Sequence, residues 1–193
     1  QALKVGEVSD SGSVNELKIE NTGSVPVFIM AGEILTGAKQ DRVLQDDVWL
    51  PAHSGPVAVA CYCVERGRWS YTGKRDFSSR PVAGNLAVRQ SARASNSQSE
   101  VWAAVARTQA NVGFDRSTAL GDTYEAPAVK PRIDGYVAAF RDLPQRHPHA
   151  NGFVVAVGSR ILAADLFGGR VDAVALWPKL LPSYALEAAQ SPQ

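Results

Sequence analysis

In the first third of the chain, short apolar runs are broken at close intervals by Gly, Pro, Asp and Ser. That spacing leaves room for strands and little room for helices. Glu16-Leu17-Lys18-Ile19 alternates polar and apolar residues and runs into Asn21-Thr22-Gly23, a turn signal. Residues 25–30 form a continuous apolar run, as in a strand covered on both faces, with Pro26 near its start, where a missing N–H does least harm. Residues 48–51 and 55–64 add two more strands. Strands this closely spaced belong to an antiparallel sheet or sandwich rather than to βαβ repeats.

Beyond Phe77 the pattern changes. Residues 78–81 (Ser78-Ser79-Arg80-Pro81) read as a loop, and 85–94 as a helix with an asparagine cap. The strongest helix covers 98–110. Ser97 and Glu100 have capping-box spacing, Val101, Ala104, Val105 and Thr108 share one face, and Asn111-Val112-Gly113 supplies the stop. Residues 113–133 read as an irregular segment, 135–143 as a short helix, and 153–157 with 160–167 as a hairpin turning at Gly158-Ser159. The stretch 176–189 is helical in composition. An interior proline costs roughly 3 kcal/mol, so the helix is expected to begin near Pro182 or to kink there. The resulting fold class is α+β: an antiparallel β-rich core with helices packed on one side, in a single domain spanning 1–193, a length ample for a core.

Charge narrows the function classes. Twenty basic residues oppose 19 acidic ones, so bulk attraction to nucleic acid or an anionic membrane is not indicated. No run approaches the roughly 20 apolar residues of a membrane span, and no signal peptide is visible at the start. Cys61 and Cys63, the two cysteines, would lie on one strand face about 6.6–7 Å apart, at or beyond the reach of an unstrained disulfide. They read as buried thiols, which favours a reducing compartment such as the cytoplasm. With His53, His147 and His149 they match no zinc spacing, so no metal site is expected, and the sequence names no cofactor and no oligomeric state.

Two segments concentrate polar chemistry. Gly32-Glu33-Ile34-Leu35-Thr36-Gly37-Ala38-Lys39-Gln40 resembles a phosphate loop until its end, where Ala38 separates glycine from lysine and Gln40 replaces the hydroxyl. A nucleoside triphosphatase is excluded on that ground, and a glycine-punctuated strand pair is the simpler reading. Cys63-Val64-Glu65-Arg66-Gly67-Arg68-Trp69 places a thiol, a carboxylate, a guanidinium and an indole at one strand tip. Arginine beside tryptophan suits an anion or a flat ring. Residues 65–93 hold seven basic residues (Arg66, Arg68, Lys74, Arg75, Arg80, Arg89 and Arg93) against Glu65 and Asp76, a local excess that fits a small anionic ligand or a solvated face.

Three segments together carry a family resemblance. The first is 26–42, with Met30-Ala31-Gly32-Glu33-Ile34-Leu35-Thr36-Gly37-Ala38-Lys39-Gln40-Asp41-Arg42 at its heart, and the second is 63–69. The third joins Gln98-Ser99-Glu100-Val101-Trp102 to Asp165-Leu166-Phe167 and to Trp177-Pro178-Lys179-Leu180-Leu181-Pro182-Ser183-Tyr184. The chain resembles the ADP-ribosylglycohydrolase/rhodanese/phosphatase-associated protein family over nearly its whole length. The resemblance implies a role near ADP-ribose or NAD metabolism. On that reading a nucleotide-like anion meets Glu33 or Glu65 as general base, Arg42 and Arg68 as anion clamps, Trp69 as a stacking platform, and Gln40 and Cys63 beside them. The alternative is a non-catalytic protein-interaction module in which the Glu33–Arg42 and Glu65–Arg68 sets are internal salt bridges. A thiol-redox role for Cys61 and Cys63 ranks third.

Overall fold

The computed structural model describes residues 2–190 apart from 72, 74, 95 and 96. Six antiparallel strands form one sheet: β1 (Leu3–Glu7), β2 (Glu16–Asn21), β7 (Gly55–Cys63), β5 (Arg42–Leu44), β4 (Glu33–Gly37) and β8 (Phe77–Ala83), in that spatial order. The sheet curls until its two edges, β1 and β8, approach each other. A small outer ladder pairs β3 (Val27–Ile29) with β6 (Val48–Leu50), and a separate hairpin joins β9 (Gly152–Val157) to β10 (Arg160–Leu166). The helices are α1 (Leu86–Ala94), α2 (Gln98–Asn111), α3 (Leu120–Glu125), α4 (Lys130–Phe140), α5 (Leu143–Arg146) and α6 (Arg170–Ala189).

The period-two pattern decides which side chains fill which core. Leu17, Ile19, Leu35, Leu44, Val59, Cys61 and Phe77 fill the concave side of the curl. Their strand neighbours Ile34, Val43, Tyr62 and Val64 face the other way and pack on Val88, Val101, Val105, Leu120 and Tyr124. Strands β4, β5 and the end of β7 are therefore buried on both faces. A third cluster seats α6 against the hairpin, with Phe153 and Trp177 ring centroids 4.2 Å apart. The architecture is the expected α+β core with helices on one side. No helix among the described residues is long and apolar enough to cross a membrane.

Several local expectations hold. The glycine-punctuated pair at 32–44 is the hairpin β4–β5, and the 153–167 hairpin turns at Gly158, whose φ is +58°. Gly113, at φ +71°, ends α2. The capping box does not form: Ser97 has an extended N-cap backbone, but its hydroxyl meets Ser99 Oγ. Nor does the Asn85 side chain cap α1. Its amide donates to Thr108 Oγ1 and Glu187 Oε1, and Glu187 takes the Ala87 N–H from across the fold.

Four segments differ from expectation. Residues 78–81 lie in β8, not in a loop. Pro81 is tolerated because β8 is an edge strand, where a ladder donor is dispensable. The segment 113–133 holds α3 and the start of α4 rather than irregular chain. Leu120, Tyr124 and Ile133 are buried, and Pro131 sits in the first turn of α4, where its missing N–H costs nothing. The expected helix at 135–143 is the end of α4 followed by a separate α5. Finally, α6 starts at Arg170 and passes through both prolines as one helix. Pro178 is exposed and Pro182 half-buried, so the carbonyls they leave unpaired lie off the buried stripe of Trp177, Leu180, Leu181 and Tyr184. Burial of that stripe outweighs the two lost helix bonds.

Gly37 has φ +128°, and a Cβ there would meet the Asp76 carbonyl oxygen at 2.6 Å. Gly37→Ala is expected to lower unfolding free energy by about 2–4 kcal/mol in urea titration. Gly55→Ala, at φ +67° with open space around it, should cost only about 1 kcal/mol.

Candidate functional site

The turn between β4 and β5 is held from outside. Gly37 and Ala38 both have positive φ, and Ala38, at +40°, is fully buried. Arg68 closes over them. Its Nη1 donates to the Ala38 and Ser70 carbonyls at 2.8 and 2.9 Å, while Nε and Nη2 grip Glu65 in a fork at 2.7 and 2.5 Å. Glu65 Oε2 also accepts the Asp41 N–H at 3.0 Å, and Gln40 Nε2 donates to the Arg68 carbonyl at 2.8 Å. The Glu65 hydrogen bonds hold Arg68 above its ordinary pKa. Burial, and then the nearby Glu65 charge, push the Asp41 carboxyl up.

Arg42 is completely buried. It donates to the Gln40 and Ser13 carbonyls and pairs with Glu7 of β1 at 3.8 Å. Lys39 gives its ammonium to the Asp10 and Ser11 carbonyls. Cations and rings then alternate across the end of the curled sheet. Arg75 and Lys39 flank Tyr71 at 5.1 and 5.5 Å, and Lys39 and Arg42 flank Trp69 at 5.3 and 5.5 Å. Burial pushes the Cys61 thiol up to about 12 and raises Cys63 as well, and both are free thiols. Protonated, buried sulfur is a poor nucleophile.

The fold thus brings Gln40, Arg42, Cys63, Glu65, Arg68 and Trp69 to one end of the sheet and bonds them largely to one another. Glu33 lies apart from them. It pairs with Lys179 of α6 and with Ser79, while Arg42 takes Glu7, so the sequence pairing of Glu33 with Arg42 does not form. The basic stretch also disperses. Arg66 covers Trp102, Arg80 reaches Thr36 and Gly121, and Lys74 lies outside the described residues.

Two members of that stretch, Arg89 and Arg93, sit one turn apart on α1 and face an open cleft of about 630 Å³. Phe28 and Trp49, a cross-strand pair with centroids 6.5 Å apart, also line it, together with Asp165 on β10. Arg89 forks onto Asp165 at 3.1 and 2.9 Å, and the Tyr184 hydroxyl donates to the same carboxylate. Burial alone would raise Asp165, but the Arg89 bonds outweigh it and hold its carboxyl below the ordinary range. Gly32, at φ +87°, gives Arg89 its path, since a Cβ there would meet Arg89 Cδ at 2.4 Å. Arg93 is exposed, and Trp49 is 67% exposed. The local basic excess was the one sequence signal for this cleft. Pairing of Phe28 with Trp49, and of either with α1, carries none. Among the described residues, no group of three or more His, Cys, Asp or Glu side chains is placed to hold a metal ion.

A family model, the ARG and Rhodanese-Phosphatase-superfamily-associated Protein domain, matches residues 1–193. The chain belongs to this ARPP-1 domain family. Comparison with curated proteins and with solved structures gives no match. The ARPP-1 description names an association and no reaction, so chemistry must be read from the sites themselves.

Two outcomes follow for the ARPP-1 fold. Arg68→Ala should cost about 2–3 kcal/mol in chemical denaturation, because it strands Glu65 and uncaps the turn, whereas Glu65→Gln should cost about 1–2. Because Asp165 is depressed, its contribution to stability is present above the ordinary aspartate value near 4 and is lost as pH falls through its lower folded value. Asp165→Asn should therefore flatten the acid limb of a melting-temperature profile below about pH 4.

Proposed function

We propose that the domain binds a small nucleotide-like anion of the ADP-ribose class in the cleft between α1, the β3–β6 ladder and β10. The juxtaposition that carries this reading is Arg93 beside the Arg89–Asp165 fork on one wall and the Phe28–Trp49 pair on the other. A guanidinium meets a pyrophosphate and an aromatic wall meets a base, and about 630 Å³ falls within the usual size of small-ligand sites. Arg89, already committed to Asp165, fixes the shape of the wall, and Arg93 is the guanidinium left to meet ligand. In this reading Glu65, Arg68, Gln40 and Arg42 lock the sheet end instead of clamping ligand. The family description names ARG and no ligand; the ligand class comes from the resemblance to the ADP-ribosylglycohydrolase-associated family.

A second reading, a non-catalytic interaction module, is favoured by the outer face of the β9–β10 hairpin. There Val154 (65%), Ile161 (73%) and Leu166 (76%) are exposed together. Under it, Ile161→Asp changes the sedimentation coefficient of the purified domain while no nucleotide changes its melting.

Thermal melting with ADP-ribose, NAD, AMP and inorganic pyrophosphate separates the readings. Ligand at 100 times its dissociation constant adds about 2.7 kcal/mol, a clear shift. The expected result is a shift with ADP-ribose that disappears in Arg93→Ala and persists, from a lower baseline, in Arg68→Ala. A shift lost in Arg68→Ala but kept in Arg93→Ala would move the site to the sheet end. No shift with any ligand would favour the interaction module.

A further inference from the structure

Ser79 on β8, Glu33 on β4 and Lys179 on α6 bring their polar atoms to one point, and none of the three lines the cleft. Lys179 Nζ donates to Ser79 Oγ at 2.8 Å and also to Glu33 Oε1. Ser79 Oγ donates to that same carboxylate oxygen. The Ser79 hydroxyl has a second possible acceptor, the Arg80 carbonyl at 3.1 Å, but an ionised carboxylate accepts more strongly. The Glu33 side chain is 4% exposed and that of Lys179 29%, while Ser79 itself is exposed to solvent.

An ion pair anchoring α6 to β4 would account for Glu33 and Lys179 without any hydroxyl between them. Ser79 adds a reachable oxygen with its proton aimed at a sheltered base and an ammonium against its lone pair. Those are the parts an activated alcohol needs: an acceptor for the proton and a positive charge beside the oxygen as it becomes negative. Among the described residues, the neighbouring Ser78 on the same strand has no such partners, its Oγ meeting the Thr36 carbonyl at 3.4 Å.

We propose that Ser79 is a nucleophile that cleaves carboxylic esters, with Glu33 as its base and Lys179 as the cation beside the reacting oxygen. Ser79 Oγ forms a bond to the ester carbonyl carbon as its proton passes to Glu33. The carbon–oxygen bond to the alcohol then breaks, and the departing oxygen takes that proton. Water next attacks the acyl-serine carbon, giving one proton to Glu33. The bond to Ser79 breaks, the serine oxygen recovers the proton, and the carboxylic acid leaves. Hydrolysis is complete with no further reactant.

The test is labelling of the full chain with a fluorophosphonate, in which the serine oxygen displaces fluoride at phosphorus, followed by peptide mass mapping and p-nitrophenyl acetate turnover. One adduct is expected, on Ser79, with both labelling and turnover lost in Ser79→Ala and unchanged in Ser78→Ala. Both changes are at exposed positions, so the comparison does not depend on a buried variant folding. Glu33→Gln, read only if it melts cooperatively, should slow labelling about 100-fold or more. Absence of an adduct on wild type would overturn the proposal. So would an adduct that survives in Ser79→Ala, or an unchanged labelling rate in folded Glu33→Gln. None of these outcomes depends on whether nucleotides bind the cleft.

Discussion

Arg68 closes the end of the sheet, and much of the structure is arranged around what it holds. The hairpin between β4 and β5 turns through Gly37 and Ala38, two successive residues with positive φ, and a buried alanine resists that conformation. The turn leaves carbonyls facing inward, and Arg68 satisfies those of Ala38 and, at longer range, Gly37, while Glu65 neutralises its charge. A single planar group with five donors can do this, and a lysine could not. Because β4 and β5 are central in the sheet and buried on both faces, an opening at this turn would expose both cores.

The same closure explains why polar residues gather where the sequence is densest in charge. Arg42, Glu7, Lys39, Gln40, Asp41 and Glu65 lie at one end of the curled sheet, where strands finish and backbone carbonyls need donors. Tyr71 and Trp69 are interleaved with the cations, which lets charged stems cover apolar ring faces without desolvating every head group. Such a network resembles a binding site in composition. The difference lies at its centre, where the donors of Arg68 already have protein acceptors, although among the described residues Gln40 Oε1, Arg42 Nε and Glu7 Oε2 around it are buried without a partner. The cleft beside α1 is the opposite case, with volume, an exposed Arg93 and an uncovered Trp49.

Helix α6 ties these regions together. It supplies Trp177 to the hairpin core, Tyr184 to the Asp165 carboxylate, Lys179 to Glu33 and Ser79, and Glu187 to the first turn of α1. Two prolines in a helix with so many tasks are tolerated because burial of the side chains around them outweighs the helix bonds they remove. Intrinsic propensity was outweighed by burial, the usual order of magnitudes for a helix packed along much of its length.

Read alone, the amino-acid sequence determined the α+β class, the strand-rich first third, the β4–β5 hairpin, the stop at Gly113 and the 153–167 hairpin, because each rests on local chemistry: side-chain period, turn residues and positive-φ glycines. It also pointed to the right neighbourhood for Glu65 and Arg68, which lie three residues apart and need no distant contact to meet. Tertiary structure decided the rest. Pro81 could enter a strand only because that strand lies at an edge. Leu120 and Tyr124 became helical against a core formed elsewhere. Arg42 found Glu7, and Glu33 found Lys179, across separations of 35 and 146 residues along the chain. Charge and residue type say that such partners are needed; only the curl of the sheet and the packing of α6 say which ones come within reach.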